Sequence, residues 1–280
     1  MGVELIVLDF DGTLTNVDKE GIPFVAGYKT DVAADLGISG NALDPLWAAK
    51  QAHIEANPSR YGWRRNGCIV APAYADPMIM SLTIADLLLD EASMHTGDEA
   101  RTAALDGYFQ RNYGKLGIAF KEDANAFLNV LYDRYPAVCI VTNSKTEGVA
   151  KKIQHLPSDH SRIKIYGDAK KFDPRPDWTD VPEYVEREGY GRPLFLRRKQ
   201  YWDVLTSIMG ERGISDPSHV VVIGDINELD LVLPEYQGMN VILTPRDSTP
   251  AFEVEAVQSS PRGRIARSLD EVLHHLEAWR

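Results

Sequence analysis

The sequence predicts an α/β protein: a doubly wound parallel sheet, interrupted after its first strand by an α-helical domain. Three observations carry that prediction. Runs dominated by branched apolar side chains recur at 5–8, 137–141, 218–223 and 240–244, the mark of strands buried on both faces. Between them lie stretches with apolar residues at spacings of three and four, as helices require. Three of the runs break off into polar or turn-forming residues, at Asp9, Thr142 and Gly224-Asp225. Open α/β sheets bind their ligands at such carboxyl ends of strands.

Taken in order, Leu5-Ile6-Val7-Leu8 is the first strand, and Gly12 frees the backbone for a sharp turn after Asp9 and Asp11. The pattern then becomes helical at 32–36, 42–55, 77–95 and 99–116, with Asn41 and Asp98 as N-caps and Gly97 and Gly117 at helix ends. No second strand is legible there, so 16–120 reads as an all-helical insertion. Residues 123–134 form a helix returning to the core, 137–141 the next strand, 151–156 a helix and 162–166 a further strand. An irregular excursion follows at about 160–195; within it, 167–193 is rich in Pro, Gly, Asp and Tyr. Then come a helix at 198–210, a strand at 218–223, a short helix at 229–233, a strand at 240–244 and an amphipathic helix at 268–279. The expected organisation is a core of 1–15 with 121–280 and a helical domain of 16–120.

Composition narrows the function. The 280 residues carry a formal charge of −11, the opposite of a nucleic-acid-binding footprint. An acidic protein still binds a phosphorylated substrate where a metal and a few local cations reverse the field. The two cysteines, Cys68 and Cys139, have no metal-ligand spacing, and Cys139 lies in an apolar run as a small hydrophobe. Nothing demands a disulfide, Met1 leads straight into the first strand, and no run is long enough to span a bilayer. A cytoplasmic protein with no membrane partner is the expectation.

The chemistry concentrates in three strings. In Asp9-Phe10-Asp11-Gly12-Thr13, the two acids point to one side of an extended chain, where their repulsion invites a divalent cation. In Thr142-Asn143-Ser144-Lys145, a hydroxyl and backbone N–H groups can donate to phosphoryl oxygens. Gly224-Asp225-Ile226-Asn227-Glu228-Leu229-Asp230 supplies further hard oxygen ligands of the kind Mg²⁺ takes. In the helical insertion, Arg60-Tyr61-Gly62-Trp63-Arg64-Arg65-Asn66-Gly67 is the most site-like segment, its guanidinium groups suited to a substrate's polar tail.

These strings, in this order, resemble the motifs of the haloacid dehalogenase (HAD) superfamily of phosphatases and phosphotransferases. Asp9, Asp11 and Thr13 match its first motif, Thr142 its second, and Gly224-Asp225 with Asp230 its fourth. The third motif is a Lys or Arg; Lys199, just before an amphipathic helix, is the expected one, with Arg197, Arg198, Lys170 and Lys171 as competitors. The resemblance implies a HAD-like Rossmannoid core with a helical cap. It implies Asp9 as nucleophile through an aspartyl-phosphate, Asp11 as acid then base, and Thr142 and Lys199 stabilising the phosphoryl oxygens. It implies Mg²⁺ held by Asp9, Asp225 and the backbone carbonyl of Asp11, with Asp230 behind them or orienting the turn, and Asn227 and Glu228 as nearby alternatives. Thr13, Asn143, Arg64 and Arg65 are the expected substrate contacts. The expected function is Mg²⁺-dependent hydrolysis of a small phosphorylated metabolite. A phosphomutase, a phosphonatase using a lysine such as Lys29 or Lys50, and a non-catalytic binding protein on this scaffold stay open, as does the oligomeric state.

Overall fold

A computed structural model of the chain describes residues 2–65 and 68–279. The chain forms two compact units, Met1–Asn16 with Phe120–Arg280, and Val17–Ala119. The first unit begins with β1 (Leu5–Leu8). The second unit follows as α1 (Val17–Asp35), α2 (Gly40–Glu55), β2 (Gly62–Arg65), β3 (Cys68–Pro72), α3 (Pro77–Glu91) and α4 (Asp98–Tyr113). The first unit then resumes with α5 (Ala124–Arg134), β4 (Val138–Val141), α6 (Thr146–Ile153), β5 (Lys164–Tyr166), β6 (Tyr184–Val185), β7 (Leu194–Phe195) and α7 (Lys199–Glu211). It closes with β8 (Val220–Gly224), α8 (Val232–Tyr236), β9 (Asn240–Leu243), α9 (Ala251–Gln258), β10 (Gly263–Ile265) and α10 (Leu269–Ala278).

Six strands of the first unit form one parallel sheet in the order β10-β9-β8-β1-β4-β5. Its apolar runs are continuous because both faces are covered. Leu5 and Val7 pack on one side with Cys139, Val222, Leu205 and Ile208. Ile6 and Leu8 pack on the other with Ile140, Ile223, Phe127, Leu131 and Leu276. Each such side chain contributes about 1.5–3 kcal/mol when fully buried. Leu8 pairs with both Ile140 and Ile223, so β4, β1 and β8 lie side by side and end nearly level. That register brings Asp9, Thr142 and Asp225, distant in sequence, to one edge.

Several elements depart from the sequence reading. The insertion is not all-helical: β2 and β3 pair as an antiparallel hairpin with a register shift between Trp63 and Arg64. Gly62 permits it, since a Cβ there would lie 2.3 Å from the Ala71 carbonyl oxygen. Asn66 and Gly67, between the two strands, lie outside the described residues. The helix caps also shift. Ser39, not Asn41, accepts from the Ala42 N–H and caps α2, and Gly97, not Asp98, occupies the N-cap position of α4. The second unit packs around Phe24, Tyr28, Leu43, Trp47, Ile84 and Leu89. In the first unit, the excursion contributes the two-residue pair β6–β7, and α9 and β10 were not legible as elements. Among the described residues, no helix is long and apolar enough to cross a membrane.

Candidate active site

Asp9 continues directly from β1. Its N–H donates to the Ile223 carbonyl, so the ladder between β1 and β8 fixes its backbone. Three buried carboxylates, those of Asp9, Asp225 and Asp230, then offer oxygens within 4.8 Å of one another. Two glycines make this approach possible. Gly12 has φ +84°, and a Cβ there would stand 2.1 Å from Asp225 Oδ2. A Cβ on Gly224 would stand 2.4 Å from the Asp230 Cβ. Neither position admits a larger residue without moving an acid.

Two cations answer the three acids. Lys171 Nζ donates to Asp9 Oδ1 at 2.6 Å and to Asp230 Oδ1 at 2.8 Å, and it also lies 5.3 Å from the centre of the Tyr201 ring. Arg246 Nε donates to Asp225 Oδ2 at 2.8 Å. The second oxygen of Asp230 accepts from the Ile226 N–H, which closes the turn after β8. Burial pushes the proton affinity of Asp9 well above the usual carboxylate range; Lys171 pulls against it, and Asp230 and Asp225 add to it. Burial likewise lifts Asp225 to about 7 against the pull of Arg246. For Lys171, burial alone favours the neutral amine, but Asp230 and Asp9 more than reverse it and hold the ammonium.

Asp11 occupies a different setting, its side chain 27% exposed. Ser144 Oγ donates to its Oδ2 at 2.6 Å, Lys152 Nζ to its Oδ1 at 3.2 Å, and Thr142 Oγ1 lies 3.5 Å from Oδ2. Thr142 Oγ1 also accepts from the Ser144 N–H at 3.1 Å. Thr13 is buried, with Oγ1 3.5 Å from Asp9 Oδ2. Asn143 Oδ1 accepts from the Lys171 N–H at 2.8 Å, so it holds the lysine's backbone.

The choice of Lys199 as the motif-three cation is corrected by this geometry. Lys199 Nζ pairs with Asp203 on the exposed start of α7. Lys171 meets Asp9 because the loop after β5, the strand beside β4, runs across the carboxyl edge of the sheet. Its N–H is tied to Asn143 just after β4, and the Ala169 N–H to the Thr142 carbonyl. Among the competitors, Lys170 pairs with Asp168, Arg197 donates to the Val181 and Pro176 carbonyls, and Arg198 is buried against the backbone of Lys171. Of the expected metal ligands, the side chain of Asp11 lies with Ser144 and Lys152, while Asp230 joins Asp9 and Asp225. Arg64 and Arg65 belong to the second unit; both are exposed, and the Arg65 guanidinium lies 4.5 Å from the centre of the Trp63 ring. Sequence reasoning named Ser144 only as part of the Thr142–Lys145 string and missed Lys152 and Arg246; Arg246 follows the end of β9, so position at a strand end was an available signal for it.

No family model matches the sequence, and no curated protein matches it. Solved structures do match its fold. A haloacid dehalogenase-like family hydrolase from Xanthomonas campestris superposes with a TM-score of 0.51 at 12% identity, over 99% of this chain and 93% of that one. A predicted phosphoglycolate phosphatase from Haemophilus somnus gives 0.50 at 16% identity, over 97% of each. YfnB of Bacillus subtilis, assigned as a HAD-hydrolase and solved bound to magnesium, gives 0.53 at 13% identity, over 99% of each. At these identities the likeness is one of fold.

Proposed function

Since this chain has the fold of the haloacid dehalogenase-like hydrolases, we propose that it is a Mg²⁺-dependent phosphohydrolase acting on a small phosphorylated metabolite through an aspartyl-phosphate. One observation carries the reading: Asp9 stands at the sheet edge beside the Lys171 ammonium, in a buried trio with Asp225 and Asp230. The donor set fits Mg²⁺, being hard carboxylate oxygens whose mutual repulsion a divalent cation relieves. Asp9 and Asp225 would hold it, with the backbone carbonyl of Asp11; both oxygens of Asp230 are already engaged by Lys171 and the Ile226 N–H. Bound there, Mg²⁺ supplies positive charge that favours ionised Asp9 and screens it from the phosphoryl oxygens.

The chain's own residues perform the remaining work. Asp9 attacks phosphorus as an anion, and burial keeps water from competing for its oxygen. The Lys171 ammonium neutralises the nucleophile in the ground state and the equatorial oxygens as charge moves onto them. The Thr142 hydroxyl donates to the same oxygens. Asp11 gives a proton to the leaving alkoxide, then takes one from the water that cleaves the acyl phosphate. A leaving halide needs no such proton, so Asp11 favours phosphate esters over haloacids. Asp11, 27% exposed among hydroxyl and ammonium donors, sits in a different setting from buried Asp9, so the two carboxyl groups can take different roles.

The test is release of inorganic phosphate from an aryl phosphate and from a panel of phosphorylated metabolites. Wild type with Mg²⁺ is expected to turn over; chelated enzyme and Asp9→Asn are not. Equal, near-zero rates across the panel would move the reading to a binding protein. A rearranged phosphate ester in place of free phosphate would identify a mutase.

A further inference from the structure

The peptide of Lys171 is held on both sides. Its N–H donates to Asn143 Oδ1, and its carbonyl accepts from Arg198 Nη1. Arg198 is 1% exposed, the largest of the fully buried side chains. Its Nε donates to the Phe195 carbonyl at 3.2 Å, and its Nη2 lies 3.6 Å from Glu228 Oε1. Glu228 is also fully buried, sits in the chain between Asp225 and Asp230, and takes Arg192 through contacts of 3.2 and 2.5 Å. The guanidinium of Arg198 therefore joins three segments: the loop carrying Lys171, the end of β7, and the loop carrying Asp225 and Asp230.

An apolar side chain would fill that volume without the cost of desolvating a guanidinium. What an apolar residue cannot do is donate in several fixed directions at once. The loop it holds needs such a constraint. Asp168 and Lys170 have φ of +54° and +51°, left-handed values that non-glycine residues keep only when their surroundings enforce them.

We propose that Arg198 is a positioning residue: through the Lys171 carbonyl it sets where the Lys171 ammonium stands, and through Glu228 it ties that place to the loop bearing Asp225 and Asp230. Its effect on turnover rests on the phosphohydrolase reading; its effect on the ammonium does not.

The experiment is proton-detected NMR of ¹⁵N-labelled lysine ammonium groups in the full chain without substrate. Wild type should give one slowly exchanging buried ammonium signal, assigned by its loss in Lys171→Met. Arg198→Lys keeps a buried cation but not the fork, and Glu228→Gln keeps the volume but not the charge. In both, with the backbone fingerprint retained, the signal should shift and exchange at least about tenfold faster. Wild-type shift and exchange in whichever of the two variants folds would overturn the proposal. In turnover, kcat of Arg198→Lys should fall by about one to two orders of magnitude with KM within about twofold. A fall in kcat beside an unmoved ammonium signal would also overturn it. A wild type without turnover would instead sink the phosphohydrolase reading, and the ammonium signal would still decide the role of Arg198.

Discussion

Asp9 and Asp11 stand two residues apart on one strand end, yet they inhabit different solvents. Around Asp9 the medium is protein: two further acids, one ammonium and almost no water, with its side chain 9% exposed. Around Asp11 it is partly water, supplemented by two hydroxyls and the Lys152 ammonium. The same carboxyl group is thus placed where its charge is costly in one case and readily solvated in the other. The sheet sets that contrast by register, since Asp9 is clamped to β8 and the turn at Gly12 releases Asp11 toward β4 and α6. Two settings this different let two neighbouring carboxyl groups take different roles.

The largest effect expected is from the inner acid. On the proposed mechanism, Asp9→Asn should lower turnover by about four orders of magnitude or more, because the covalent step would have no second route. Its folding stability should hold, since Lys171 keeps Asp230 as a partner. Thermal unfolding beside phosphate release checks both halves.

Replacing Lys171 and Asp11 in turn separates the two environments. Lys171→Met leaves Asp9 and Asp230 buried without their cation, so it should destabilise the fold by about 3–5 kcal/mol and cut kcat by about 10²–10³-fold. Asp11→Asn should cut kcat by about 10²–10⁴-fold while changing stability by less than about 1 kcal/mol, because its carboxyl is partly solvated. Denaturant unfolding tells them apart. Equal stability losses would mean that the contrast between the two acids is not one of solvation.

That contrast was only half legible in the sequence. Strands buried on both faces advertise themselves as unbroken apolar runs, so β1, β4, β8 and β9 and the polar residues that end them could be read directly. Lys171 could not. Nothing local distinguishes Lys171 from Lys170, and only the crossing of the loop over Asn143 sends one to Asp9 and the other to Asp168. The hairpin in the second unit was hidden by its brevity and by Trp63 and the arginines, though Asn66-Gly67 is a dipeptide that favours hairpins. β10 has three residues and α9 eight, too few for either period to emerge.

A smaller effect probes the wall behind the inner acids. Glu253 on α9 is fully buried, and its Oε1 accepts from the Glu228 N–H at 3.4 Å. Burial, with Glu228 adding to it, pushes its pKa from 4.5 up to about 8. The folded state therefore keeps a proton that the unfolded chain has already lost at neutral pH. The stability this carboxyl contributes is full below pH 4.5 and drains away as the pH rises to about 8. Glu253→Gln has no proton to lose. Its Tm relative to wild type should rise steadily from about pH 5 to about pH 8 and then level off. A difference that stays constant with pH would place the Glu253 side chain in water.

The smallest effect expected sharpens the comparison most, because it uses the same substitution at a second lysine. Lys199 Nζ reaches both oxygens of Asp203, at 2.8 and 2.6 Å, but the two side chains are 46% and 55% exposed. With the cation N-terminal to the acid, the pair also runs against the favoured order along a helix. Such a pair contributes at most about 0.5 kcal/mol. Lys199→Met should leave kcat and KM within about twofold of wild type and the unfolding midpoint nearly unmoved. Measured beside Lys171→Met, it asks whether a cation matters here for its sequence position or for the acids it meets. A hundredfold loss of kcat in folded Lys199→Met would return the motif-three role to α7, and the buried ammonium would be left holding the trio together without acting on substrate.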